Sequence, residues 1–98
     1  MITSKQRAYL RSLSNKVPCI FQIGKEGISE NLVNQLSDAL NARELIKIHV
    51  LENCEFSARE ACDEISKLLR AEPVQVIGSK FVIYRQSENE KKRTIVLK

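Results

Sequence analysis

Near the start of the chain, Tyr9, Leu10, Leu13 and Val17 recur at spacings of one, three and four. That spacing draws one apolar stripe along a helix over residues 4–16. Thr3-Ser4-Lys5-Gln6 supplies its capping box, with Thr3 at the N-cap and Gln6 three residues on. Pro18 stops it, because the residue before a proline avoids the α region. Cys19-Ile20-Phe21-Gln22-Ile23 is short, apolar and partly β-branched, a strand. Gly24-Lys25-Glu26-Gly27 ends that strand, and Ser29 serves as N-cap of a second helix buried through Leu32, Leu36, Ala39 and Leu40. The polar cluster 41–44 closes this helix, and Leu45–Leu51 reads as a second strand.

A third helix begins at Ser57-Ala58-Arg59-Glu60, again a capping box, with Phe56 placed to staple against Ala61. Ala61, Cys62, Ile65, Leu68 and Leu69 carry it to about residue 71. Val74–Ile77 and Lys80–Arg85 flank Gly78-Ser79, two β-rich runs about a two-residue hairpin turn. Residues 87–98 form a polar tail in which Thr94–Leu97 suits a short edge strand. The order αβαβαββ predicts a single α/β domain over residues 1–86 with a mixed four-stranded sheet. Crossover strands are parallel, and the closing hairpin adds an antiparallel edge. The three helices can cover one or both faces.

Composition narrows the chemistry. Ninety-eight residues, 43% of them hydrophobic, support one modest core. No apolar run approaches the roughly 20 residues of a membrane span, and the N-terminus is too polar for a signal peptide, so a cytoplasmic protein is expected. Cys19, Cys54 and Cys62 are an odd set without a CxxC pair, and His49 is the single histidine. They suit small hydrophobes in a reducing compartment better than a metal site, which takes about four ligands. His49 lies in the alternation Ile46–Val50 and points from a strand face, so a nucleophile–base pair has little to draw on. No catalytic residue, metal or cofactor is expected.

The net charge of +4 is unevenly spread. Residues 1–25 carry Lys5, Arg7, Arg11, Lys16 and Lys25 and no acid, whereas residues 26–72 carry ten acidic side chains against five basic ones. Residues 73–98 are basic again. A fold that brings the ends together acquires a positive and a negative side, an arrangement suited to a polyanion. Arg7 and Arg11, four apart, share a helix face away from the apolar stripe. The two glycines of Gly24-Lys25-Glu26-Gly27 free the backbone to approach a phosphate, the next helix start offers N–H groups, and Lys25 adds a cation.

Gln22-Ile23-Gly24-Lys25-Glu26-Gly27-Ile28-Ser29 after Pro18 and a short strand resembles the signature of the CRM domain, the chloroplast RNA splicing and ribosome maturation domain. The helix bearing Leu10, Arg11 and Leu13 fits it, as does Val76–Arg85. The resemblance covers residues 3–86 in one register and is closest to the stand-alone bacterial YhbY-like members. It implies a fold similar to the C-terminal domain of translation initiation factor 3. It also implies an RNA-binding function on ribosomal RNA or precursors of the large ribosomal subunit, with the GxxG loop as an RNA contact.

Candidate RNA-binding residues are therefore Lys5, Arg7, Arg11, Gly24, Lys25, Glu26, Gly27, Lys80 and Arg85. Glu26 is read as facing solvent. Strand alternation sets Lys80 and Arg85 on opposite sheet faces unless an end residue curls round. With 5% aromatic residues, an aromatic base-stacking sheet is not expected. The alternative is a protein-interaction module whose acidic middle, Glu52, Glu55, Glu60, Asp63 and Glu64, docks a basic ribosomal protein. Neither reading requires a small-molecule substrate or a membrane.

Overall fold

The computed structural model describes residues 2–88. Helix α1 spans Ser4–Ser14, β1 Cys19–Ile23, α2 Glu30–Arg43, β2 Leu45–Val50, α3 Ala58–Leu69, β3 Glu72–Ile77 and β4 Lys80–Tyr84. All three N-caps are those expected. Thr3 and Ser57 each close a reciprocal capping box, and Ser29 Oγ accepts the Leu32 N–H at 3.1 Å. α1 ends two residues earlier than its periodicity suggests, and β3 starts two residues earlier, taking in Pro73. The segment proposed as an edge strand, Thr94–Leu97, lies outside the described residues.

The sheet order is β1-β2-β4-β3. β1 and β2 run parallel, while β4 is antiparallel to both β2 and β3. The second strand of the hairpin therefore does not form the edge. It inserts between β2 and β3, and β3 takes the rim. The reason is chemical: Phe81, Val82, Ile83 and Tyr84 are apolar on both faces and all buried, whereas β3 carries Pro73, which cannot donate to a ladder on both sides.

Helices cover both faces. α2 and α3 pack over Ile23, Ile46, Ile48, Val50, Phe81 and Ile83 in the larger core, where Ile65, Leu36 and Leu40 are fully buried. α1 lies on the opposite face, its Leu10 buried against Leu45, Val74, Val82 and Tyr84. Completely burying one such side chain contributes about 1.5–3 kcal/mol, so Leu10 is the principal anchor of α1. Beyond Tyr84, Glu44 ties the chain down. Its carbonyl accepts the Arg85 N–H at 2.9 Å, and its carboxylate accepts the Ser87 N–H at 2.9 Å.

Candidate nucleic-acid interface

Strand alternation sends Leu45, Lys47 and His49 of β2 to the α1 side, since Ile46, Ile48 and Val50 belong to the opposite core. Register then aligns one residue from each strand. Gln22 pairs with His49, His49 with Lys80, and Lys80 with Ile77. Gln22–His49–Lys80–Ile77 thus forms a row across the whole sheet on the α1 side. Helix α1 stops short of it, and no other element among the described residues covers it. Ile77 is 61% exposed and Ile20, on the same side of β1, 46%. Lys47 sits one step inside the row and is half-buried.

The loop and turn that border this row lie at the same end of the sheet. The Leu51 N–H donates to the Ile23 carbonyl at 2.9 Å, and the Val50 N–H to the Ser79 carbonyl at 2.7 Å. These bonds hold the ends of β1 and β2 beside the start of β4. The Gly24–Gly27 segment is a turn closed by the Gly27 N–H donating to the Gly24 carbonyl at 3.0 Å. Gly27 takes φ +67°, a conformation that favours glycine, and Lys25 and Glu26 occupy the exposed corners. Gly24 has an ordinary backbone.

The start of α2 offers less than expected. Ser29 caps it, and Glu30 occupies its first turn, so the positive end of the helix dipole already faces a carboxylate. What the loop presents to an anion is chiefly Lys25 and the turn backbone.

The remaining candidates divide. Arg11 and Lys5 are exposed on α1, which carries no acidic residue. The end of α1 approaches the row: Ser14 and Asn15 line one cavity together with Lys47 and Lys80. Lys5 lies nine residues before Ser14, roughly 13 Å further along the helix. Arg7 is partly withdrawn from solvent. It is half-buried three residues before Leu10, and its Nε is sealed from solvent with no hydrogen-bond partner among the described residues.

Arg85 is placed elsewhere altogether. Its guanidinium donates to the Leu69 carbonyl at 2.9 Å and to both the Ser37 carbonyl and Oγ at 3.0 Å. It clasps α2 to the end of α3 on the far side of the sheet from Lys80. We therefore leave Arg85 out of the basic face. The structure brings Lys80 and Arg11 to one side, leaves Lys25 exposed in the turn at the same end of the sheet, and adds Lys47, His49 and Gln22, which were not among the sequence candidates. Their signal was present: polar residues at alternate positions of a central strand, Lys47 and His49, mark a stretch of sheet left uncovered.

The opposite layer carries acids in slight excess over Arg43, Arg59 and Lys67, which are also exposed. Glu30 and Asp38 on α2 and Glu60, Asp63 and Glu64 on α3 are all exposed. Glu60 accepts the Ser57 N–H at 3.0 Å, and the hydrogen bonds with Ser57 hold its carboxyl below the usual carboxylate range. Burial pushes the Cys62 thiol up, and the three cysteines are unpaired. Among the described residues no group of three or more His, Cys, Asp or Glu could hold a metal ion, and no helix is long and apolar enough to cross a membrane.

Comparison with known proteins agrees with this architecture. The "Probable RNA-binding protein YqeI" of Bacillus subtilis (strain 168) is 42% identical over 93% of this chain and 95% of its own length. A protein of Haemophilus influenzae named "RNA-binding protein" is 30% identical over 92% of this chain and 91% of its own. The solution structure of a Staphylococcus aureus protein superposes with a TM-score of 0.78 at 49% identity, covering 98% of this chain and all of that one. The family description "CRS1 / YhbY (CRM) domain" matches residues 2–85. With the helices, the mixed sheet and the GxxG turn in the expected places, the chain belongs to the CRS1/YhbY, or CRM, domain family.

Proposed function

We propose that this protein binds structured RNA without catalysing a reaction, and that it acts in the cytoplasm on ribosomal RNA or a precursor of the large ribosomal subunit during assembly. The observation that supports this best is the excess of cations on the α1 side of the sheet. Arg11 and Lys5 on α1 and Lys47 and Lys80 on the open sheet share one side, where α1 contributes no acid, and Lys25 is exposed in the turn at the end of β1; α2 and α3 on the other side carry five exposed acids against Arg43, Arg59 and Lys67. Such a surface draws in and orients a polyanion. The relatives named as RNA-binding proteins give the polyanion its chemical class.

Replacing Lys25, Arg11, Lys47 and Lys80 singly by Ala should weaken binding to a structured RNA. Each should lower the slope of log affinity against log salt by about 1 at most. Thermal melting should be nearly unchanged for the exposed Lys25, Arg11 and Lys80. Titration of a labelled rRNA hairpin at several salt concentrations reads both quantities. Affinity and slope unaltered in all four variants would overturn the assignment.

One observation favours a second partner on the opposite side. Leu68 is 53% exposed on α3 and shares a shallow groove with Phe56, Ile28, Glu26, Glu55 and Glu64. A basic ribosomal protein segment matches that groove in charge. Association with such a protein that survives nuclease digestion would support this reading.

A further inference from the structure

Between the end of α1 and the β3–β4 hairpin lies a cavity of about 100 Å³, lined by Ser14, Asn15, Lys47, Gln75, Ile77, Lys80 and Val82. It is far smaller than the roughly 300 Å³ at which small-molecule pockets begin. It therefore admits one small group and not a whole free ligand. Its walls are of two kinds. Ile77 and Val82 are aliphatic. Asn15 and Gln75 bring side-chain amides that make no hydrogen bond among the described residues. The Ser14 hydroxyl is already committed, donating to the Arg11 carbonyl at 2.7 Å. Two cations, Lys47 and Lys80, stand at the rim.

We propose that this slot takes a single unpaired base extruded from the bound RNA, with Lys47 and Lys80 on the flanking phosphates. The chemistry of each wall has a counterpart in a nucleotide. A base presents an apolar face to Ile77 and Val82, and a donor–acceptor edge to the amides of Gln75 and Asn15. Its phosphates meet the two ammonium groups. Unpaired bases in loops and bulges are the places where proteins read RNA, because A-form grooves hide the base edges. A phosphate alone would leave the aliphatic walls without a partner. An apolar peptide side chain would leave the amides and both cations unanswered.

The position also suits this occupant. The slot opens on the open row of the sheet, toward the edge opposite β1 and its Lys25 turn, so an RNA lying along that row crosses its mouth. An amide edge at such a site gives the domain a preference among bases that charge alone cannot supply.

This inference rests on the RNA-binding reading above, and the test separates the two. The probes are an RNA hairpin with a single-nucleotide bulge, made with each of the four bases, the same hairpin with an abasic bulge, and the fully paired hairpin. The full chain should bind the best bulged hairpin about tenfold more tightly than the abasic or fully paired one, the size of one base contact. Gln75→Ala and Ile77→Ser should abolish that preference, costing the bulged hairpin far more affinity than the paired one. Ile77 is exposed and Gln75 only half-buried, so both variants should fold, and the abasic comparison uses the native chain in any case.

Lys25→Ala should weaken all the hairpins alike. Equal affinity for bulged, abasic and paired RNA would overturn the proposal, as would an equal loss on every RNA in the two slot variants. Failure of Lys25→Ala and Arg11→Ala to affect any RNA would instead overturn the reading of the face, whatever the slot does.

Discussion

Arg85 shows how much one residue's role depends on its neighbours. By composition it is a cation near a basic hairpin. In the fold, its guanidinium satisfies the carbonyl of Leu69 at the end of α3 and bonds the Ser37 carbonyl and hydroxyl midway along α2. Replacement by Ala leaves the partly buried Leu69 carbonyl unpaired, at about 1–3 kcal/mol of stability. Urea denaturation of Arg85→Ala should show that loss, while RNA affinity at a temperature where the variant stays folded should remain native. A weakened affinity with native stability would return Arg85 to the interface. Lysine should not rescue it, since one ammonium cannot span both carbonyls as the planar fork does.

At the scale of elements, the helix starts are set by local chemistry, and one carries a pH dependence. Glu60 closes the capping box of α3 as a carboxylate, and its pKa is lowered by the hydrogen bonds with Ser57. A group whose folded pKa is depressed contributes stability above its unfolded pKa, and that contribution disappears as pH falls through the folded value. Urea midpoints of the native chain should therefore decline on acidification through the carboxylate range. In Glu60→Gln, which keeps an acceptor for the Ser57 N–H, this part of the decline should be absent. Identical pH profiles would mean that the box contributes through geometry alone.

At the scale of the whole molecule, the two-sided charge predicts kinetics. Asp63→Asn and Glu64→Gln on α3 remove repulsion on the side facing away from RNA. They should raise the association rate at low salt, leave the dissociation rate unchanged, and lose their effect as salt rises. Stopped-flow mixing with a labelled hairpin measures both rates. A changed dissociation rate would place α3 in contact with the RNA.

The residue pattern already carried the element order, all three N-caps, the parallel β1–β2 crossover and the hairpin. Each depends on neighbours within a few positions: a Thr or Ser before an apolar stripe, a Gly-Ser pair between β-rich runs. Lys25 and the GxxG turn were legible for the same reason. The strand order was not. Placing β4 inside the sheet follows from burying both faces of Phe81–Tyr84, which depends on what α1 and α3 cover.

Nor could the basic face be assembled from the chain alone. Arg7, Arg11 and Arg85 are equal cations in a sequence, and only packing buries the Nε of Arg7, leaves Arg11 in solvent and turns Arg85 to α2 and α3. Lys47 and His49 join the face because α1 is too short to cover them, a fact about length and docking angle. Local hydrogen bonding and periodicity act over short stretches of chain. The side on which a charge emerges is set by contacts between residues far apart in sequence.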